Sequence, residues 1–195
     1  MTKEHDILNG FKWVSEELGP VHILVNNAGI TQNTNLTEGE TEKWKKILET
    51  NVLGLCIATR EAVKVMKVNK IDGHIIHINS VSGHGVPNFP GVNVYAASKH
   101  AVTALTETLR QEFNHLGLKI KITSVSPGRV TTEFIEASNF IADTNLVEQI
   151  KKMPCLKFED TYCGFGSVRY VRFVDSAACS GEVHELTIKP IGEIR

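Results

Sequence analysis

The chain has 195 residues, 42% of them apolar, a length that suits one domain with a sizeable core rather than two. Its 21 Lys and Arg residues against 22 Asp and Glu give a net charge of −1, so no basic excess favours a nucleic-acid partner. The longest apolar or glycine stretch, residues 52–58, is far shorter than the roughly 20 residues of a transmembrane helix. The N-terminus carries no signal-peptide pattern, so we expect a cytoplasmic protein.

The cysteines and histidines do not have the spacing of metal ligands. The four cysteines include no C-x-x-C pair, so we expect free thiols rather than zinc ligands or disulfides. His74 and His77 lie in an apolar run without acidic or thiol partners at ligand spacing. The sequence therefore predicts ordinary packed or surface histidines rather than metal ligands.

The first elements in chain order are a helix and a strand. Apolar residues three and four apart over residues 7–18 predict an amphipathic helix, which Gly19-Pro20 ends. A mostly β-branched run over residues 21–25 predicts a strand that stops in the turn Asn26-Asn27-Ala28-Gly29.

A second and a third helix are predicted around another strand. Thr37 and Glu40 have the spacing of a capping box, and the stretch 44–66 has apolar residues at helical intervals. Residues 74–79 then predict a strand, and residues 94–114 predict another helix.

The last predicted elements complete an alternating pattern. Gly117 is a plausible helix C-cap, and strands are predicted over residues 119–125 and 183–188. Strands that alternate with helices indicate a parallel sheet covered on both faces. We therefore predict an α/β fold with a doubly wound parallel sheet, in one domain over residues 1–195.

Tyr95 and Lys99 form the most informative pair of residues. Four residues of helix rotate by about 400°, so both side chains lie on one helix face. A cation a few Å from a phenol favours the phenolate, so we expect the pKa of Tyr95 to lie below its usual value near 10. Such a tyrosine can exchange protons with a substrate. Alone, this spacing is more often found on a solvated surface.

Ser80 and Asn51 are two further candidates. Ser80 follows the predicted strand 74–79, at the sheet edge where open α/β folds bind ligands, so its hydroxyl can bond a substrate oxygen. Asn51 is an amide in an apolar helical stretch that Gly54 weakens. Taken singly, Ser80 could simply start a turn, and Asn51 could bond a freed carbonyl.

Together these residues resemble the classical short-chain dehydrogenase/reductase family over nearly all of the first 157 residues. The family's motifs occur here in the family's order, as Asn26-Asn27-Ala28-Gly29, Asn51, Ser80, Tyr95-x-x-x-Lys99 and Pro127-Gly128. Within the family, residues 78–112, 153–157 and 184–190 are most similar to the member-11 type of dehydrogenase/reductase, which includes insect farnesol dehydrogenases.

The resemblance implies a Rossmann-like oxidoreductase that transfers a hydride between NADP(H) and the carbonyl or alcohol of a small apolar substrate, such as a farnesol-, ketone- or steroid-like molecule. NAD is not excluded as the cofactor. The resemblance also implies a homo-oligomer that pairs through the long helices over residues 44–66 and 94–114.

The resemblance assigns a role to each catalytic residue. Tyr95 would donate or accept the proton, and Ser80 would hold and polarise the substrate oxygen. Lys99 would lower the pKa of Tyr95 and bond the nicotinamide ribose, and Asn51 would position a relay water. The residues that it implies for cofactor binding are Asn26, Ala28, Gly29, Tyr95, Lys99, Pro127, Gly128, Val130 and Thr132.

One family feature is missing from the sequence. No G-x-x-x-G-x-G or G-x-G-x-x-G turn occurs, although that turn receives the pyrophosphate in dinucleotide-binding folds. Comparison with the family therefore implies a domain that lacks its first βαβ unit, of roughly 30 residues or more. Between residues 158 and 182 the family pattern is also lost until His184, as a local frame or splice difference would produce.

Two other functions stay open from the sequence. The chain could be a catalytically impaired product that acts only as an oligomer partner of full-length subunits. An extended-type epimerase or dehydratase shares the Tyr95–Lys99 spacing, but the turn at Asn26 and the short chain favour the classical type. The apolar residues that could line a substrate pocket, or pack a small lid helix, are Phe134, Ile135, Phe140, Ile141 and Leu146.

Overall fold

The structure is a computed structural model that describes residues 1–88, 91, 93–130, 134 and 183–189. Its helices and strands are, in chain order, α1 (Glu4–Glu17), β1 (Ile23–Asn26), α2 (Thr41–Leu48), α3 (Gly54–Val68), β2 (His74–Ile78), α4 (Asn93–Leu116), β3 (Lys121–Pro127) and β4 (Glu185–Ile188). The segment 158–182, in which the family pattern is lost, and the predicted cofactor residue Thr132 lie outside the described residues.

The four strands form one parallel sheet in the order β1-β2-β3-β4. Val25 pairs with Ile76, and Ile76 pairs with Thr123 in the next strand. Since all strands run in one direction, their carboxyl ends meet at one edge of the sheet, where an open α/β fold binds ligands. The predicted alternation of strands and helices and the parallel sheet are confirmed.

Both faces of the sheet are covered at its centre. Ile75 and Ile76 point to opposite faces of β2, and both are 0% exposed. Ile75 packs with Met66 of α3 in the main core, whereas Ile76 packs with Val125 on the other face. This burial agrees with the predicted double winding. At β1 the second face opens, because Val25, beside Ile76 in register, is 37% exposed.

The helix predicted over residues 44–66 is interrupted. It begins earlier, at Thr41, and a π-helical turn at Glu49–Leu53 separates α2 from α3. Gly54 follows this turn, where an added Cβ would lie 2.9 Å from the carbonyl oxygen of Met1. The turn contains the buried Asn51, and such single π-turns occur often at functional sites.

The predicted capping box is wrong. The residue before α2 is Glu40, whose side chain makes no capping hydrogen bond. Thr37 belongs instead to a separate turn, in which the Asn35 side-chain oxygen accepts hydrogen bonds from the Thr37 hydroxyl and the Glu38 amide. An asparagine that bonds the backbone ahead of it stabilises such a turn and competes with helix capping.

The predicted helix ends are confirmed at two glycines. Gly19 and Gly117 follow α1 and α4 with φ angles of 97° and 64°, the left-handed conformation that glycine adopts without strain. No helix among the described residues is long and apolar enough to cross a membrane.

The core contact of Met66 gives a test of the packing. Met66→Ala should lower the free energy of unfolding by about 2–5 kcal/mol, because the side chain is 0% exposed and leaves a cavity against Ile75. Val68→Ala in the same helix should change it by less than about 0.5 kcal/mol, because Val68 is 82% exposed. Urea denaturation measures both, and equal losses would contradict this core.

Candidate active site

Three elements bring the predicted catalytic residues to the carboxyl edge of the sheet. Ser80 lies two residues beyond the end of β2, and Tyr95 and Lys99 lie near the start of α4. Asn51 comes from the π-helical turn between α2 and α3. Hydrogen bonds among these elements hold them together.

The Ser80 side chain connects the end of β2 to Tyr95. Its oxygen accepts a hydrogen bond from the Ser82 amide at 3.1 Å and thereby caps the 3-10 turn Val81–Gly83. The same hydroxyl hydrogen-bonds the Tyr95 phenol. The two hydroxyls that the sequence assigned to one reaction are therefore adjacent.

The prediction that the pKa of Tyr95 lies below its usual value near 10 is wrong. Burial raises the pKa of the phenol to about 12, and the hydrogen bond from Ser80 offsets only part of this rise. The Lys99 ammonium lies 5.8 Å from the centroid of the Tyr95 ring. The prediction failed because spacing along a helix shows that two groups are neighbours and does not show how far burial disfavours the phenolate.

Lys99 is buried and has a specific backbone partner. Its side chain is tied to the end of β2, because Nζ donates a hydrogen bond to the Ile78 carbonyl at 2.7 Å. Lys99 is 6% exposed, and burial lowers the pKa of its ammonium from 10.5 to about 8. An ammonium has three donors, so two remain beyond the bond to Ile78 for hydroxyl groups of a ligand.

Asn51 ties the loop after β1 to α4. Its side-chain oxygen accepts from the Ile30 amide at 2.8 Å, and its nitrogen donates to the Ile30 carbonyl at 2.8 Å. The same nitrogen donates to the Ser98 hydroxyl at 3.0 Å, and this hydroxyl donates to the Tyr95 carbonyl at 2.7 Å. Both amide hydrogens are thus used within the protein, so a relay water would have to donate to the remaining lone pair of the amide oxygen.

The turn after β1 lies beside two of the predicted catalytic residues, Asn51 and Lys99. A Cβ added at Gly29 would lie 3.7 Å from the Asn51 side-chain oxygen and 3.8 Å from Lys99 Nζ. Asn26 is buried at the end of β1, whereas Ala28 is exposed. The structure therefore places this turn beside Lys99, and its role in cofactor binding stays a prediction.

Three further predicted cofactor residues, Pro127, Gly128 and Val130, lie at the end of β3 or just after it. Pro127 pairs with Ile188 of β4, and the Gly128 amide donates to the Ile188 carbonyl. Val130 is half-buried further along the same segment. These residues share the carboxyl edge with Ser80, and their role in cofactor binding stays a prediction.

The histidines of β2 are packed and hydrogen-bonded. His74 Nε2 lies 2.9 Å from the Thr123 hydroxyl, and His77 Nδ1 lies 2.9 Å from the Thr106 hydroxyl. In the part of the chain that the structure describes, no group of three or more His, Cys, Asp or Glu residues could hold a metal ion. The half-buried Cys56 is a free thiol whose pKa is raised by burial.

The profile of the family described as short chain dehydrogenase matches residues 1–140. The chain belongs to this family. The farnesol dehydrogenase of Aedes aegypti is 44% identical over 194 residues, which cover 99% of this chain and 73% of that protein. Dehydrogenase/reductase SDR family member 11 of Homo sapiens is 36% identical over 195 residues, which cover 100% of this chain and 73% of that protein.

A solved dehydrogenase structure has the same fold. The closed form of serine dehydrogenase complexed with NADP+ matches with a TM-score of 0.84 at 25% sequence identity. The match covers 100% of this chain and 75% of that chain. The Rossmann-like fold that the resemblance implied is thus confirmed.

Sequence reasoning missed two partners within this short-chain dehydrogenase site. One is the Ile78 carbonyl, which no sequence pattern reveals because every residue carries one. The other is Ser98, which is 0% exposed and lies inside the Tyr-x-x-x-Lys motif. A hydroxyl on the buried face of a helix is a signal for a polar contact, so Ser98 could have been found.

Gly83 gives a test of the close approach between the Ser80 turn and α4. A Cβ at Gly83 would lie 2.8 Å from the Lys99 carbonyl and 2.7 Å from the Asn79 side chain. Gly83→Ala should therefore lower the free energy of unfolding by about 1–3 kcal/mol, measured by urea denaturation. Gly85→Ala is the matched control, because a Cβ there meets no described atom within 4 Å. The contact is refuted if both variants retain wild-type stability.

Proposed function

We propose that this chain is an NADP(H)-dependent oxidoreductase that interconverts the carbonyl and alcohol forms of an apolar substrate. The observation that carries this proposal is the hydrogen bond between the Ser80 and Tyr95 side chains beside the buried Lys99 ammonium. A hydride added to a carbonyl carbon leaves an alkoxide that must receive a proton at once. A phenol and a second hydroxyl at one point can hold and protonate that oxygen.

The residues at the edge of the sheet suit the nicotinamide ribose of the cofactor. Lys99 is buried with two donors available for the ribose hydroxyls, and the turn at Gly29 lies against it. NADP is supported by the serine dehydrogenase match, which was solved with NADP+. When bound, the cofactor supplies or accepts the hydride, and its oxidised form brings a positive charge to the site.

Tyr95 is suited to donate the proton during reduction. With its pKa raised to about 12, the phenol is protonated at neutral pH, so it can protonate the alkoxide. Ser80 hydrogen-bonds this phenol, so a carbonyl oxygen that reaches Tyr95 also lies within reach of Ser80. In the reverse direction Tyr95 must first lose its proton, which the positive charges of Lys99 and the oxidised cofactor favour.

The substrate that we propose is apolar. The Phe134 ring packs at a tilt on Tyr95, with ring centroids 5.7 Å apart, so the proton donor has an aromatic neighbour. The 44% identity to a farnesol dehydrogenase supports a farnesol-like alcohol as the first compound to assay. The other predicted lining residues lie outside the described part of the chain.

We also propose that copies of the chain assemble as a homo-oligomer.

Substitution of the hydroxyls tests the proton donor. Tyr95→Phe should lower kcat for farnesol oxidation and for reduction of the aldehyde by about 100-fold or more, because the donor is lost. Ser80→Ala should also lower kcat, whereas Ser82→Ala in the same turn should leave it near the wild-type value. NADPH absorbance measures turnover. Turnover that survives in Tyr95→Phe would show that another group moves the proton.

The pH dependence of cofactor binding tests Lys99. Its pKa of about 8 lies below the usual value, so the side chain is charged below about pH 8 and loses its proton as the pH rises through this value. The Kd for NADPH, followed by fluorescence, should therefore increase between pH 7 and pH 9. Lys99→Met should bind more weakly without this step, and the exposed Lys64→Met should retain it. A step that persists in Lys99→Met would assign it to another group.

The same titration separates the proposed enzyme from the alternative function. Saturable NADPH binding by the folded wild-type chain supports the oxidoreductase. Absence of binding at millimolar NADPH would overturn it and favour a chain that serves only as an oligomer partner.

A further inference from the structure

A series of buried hydrogen bonds runs from the end of β1 through α3 and β2 to α4. Asn26 Nδ2 donates to Thr59 Oγ1 at 2.9 Å, and this oxygen lies 3.4 Å from His77 Nε2. On the other side of the ring, His77 Nδ1 lies 2.9 Å from Thr106 Oγ1. All four side chains belong to residues that are 8% exposed or less. No step of the proposed reaction uses His77.

The partners allow only one direction for these hydrogen bonds. The Thr106 hydroxyl donates its single hydrogen to the Val102 carbonyl at 2.8 Å, so it can only accept from His77. The ring hydrogen of a neutral imidazole must then lie on Nδ1, which leaves Nε2 as an acceptor. Thr59 therefore donates to Nε2, and its oxygen is held in place to accept from Asn26.

His77 stays neutral over the physiological range. Burial, and next the charge of Lys99, lower the pKa of the imidazole from 6.5 to about 3. The ring thus keeps one donor and one acceptor, and the order of the bonds does not change with pH between 5 and 9.

We propose that His77, as the Nδ1-protonated imidazole, is a positioning residue that fixes the Asn26 side chain and with it the turn over residues 26–30. This turn is held at its other end by the two hydrogen bonds between Asn51 and Ile30. Gly29 lies between the two attachment points and beside Lys99. The consequence for cofactor affinity rests on the proposed function, whereas the orientation of Asn26 does not.

Two amide substitutions at His77 separate positioning from simple packing. The amide of His77→Gln extends to the place of Nε2 and can still accept from Thr59. The shorter amide of His77→Asn reaches only the place of Nδ1, so it keeps the bond to Thr106 and loses the bond to Thr59. Both variants remove the ring, so a packing role predicts similar effects for both.

The experiment uses the full chain and two measurements. NMR should show the Asn26 side-chain amide hydrogens protected from solvent exchange in the wild type and in His77→Gln, with exchange about tenfold or more faster in His77→Asn. The Kd for NADPH should stay within about twofold in His77→Gln and rise about five- to tenfold in His77→Asn, the equivalent of one hydrogen bond. Equal losses of protection in the two variants would overturn the positioning role.

A direct measurement on the wild type tests the proposal even if a variant fails to fold. Long-range 1H–15N correlation should show His77 protonated on Nδ1, and protonation on Nε2 would overturn the proposal. Thr59→Ser should keep the protection of Asn26, and Thr59→Val should lose it. If the wild type binds no NADPH, the proposed function fails, while the tautomer and the Asn26 exchange rates still decide whether His77 positions Asn26.

Discussion

The buried ammonium of Lys99 is the group on which the geometry of the site depends. A charge removed from water needs a close acceptor, and the Ile78 carbonyl supplies one at 2.7 Å. Ile78 is the last residue of β2, two positions before Ser80. The bond therefore fixes α4 against the strand that positions Ser80, and Tyr95 follows because it lies one helical turn from Lys99.

The other contacts of the site extend this arrangement to β1. Asn51 joins the loop after β1 to Ser98, the residue before Lys99. His77 of β2 lies between α3 and α4. One ring nitrogen is hydrogen-bonded to Thr59 of α3, and the other is hydrogen-bonded to Thr106 of α4. Asn51 and His77 are thus each hydrogen-bonded to partners from distant parts of the chain, and such buried hydrogen bonds help to specify one arrangement of a site.

Most of the fold, and the position of the predicted catalytic residues at one edge of the sheet, could be predicted from the sequence. Apolar periodicity located the helices and strands within a few residues, since burial of one helix stripe or of a whole strand leaves a repeating pattern. The spacing of Tyr95 and Lys99 predicted their proximity for the same reason. The pKa of Tyr95 could not be predicted, because it depends on burial by groups that are distant in sequence. Ser98 and the Ile78 carbonyl were missed because their roles depend on tertiary contacts.

The π-helical turn at Glu49–Leu53 has a consequence for how this segment can vary in length. A π-turn is in effect one extra residue accommodated within a helix, and deletion of one residue there would restore regular α-helical bonding. The same deletion would rotate α2 by about 100° relative to α3 and turn Asn51 away from Ile30. Insertions and deletions that surface loops tolerate should therefore be selected against between Thr41 and Val68, even where the residues themselves are exposed.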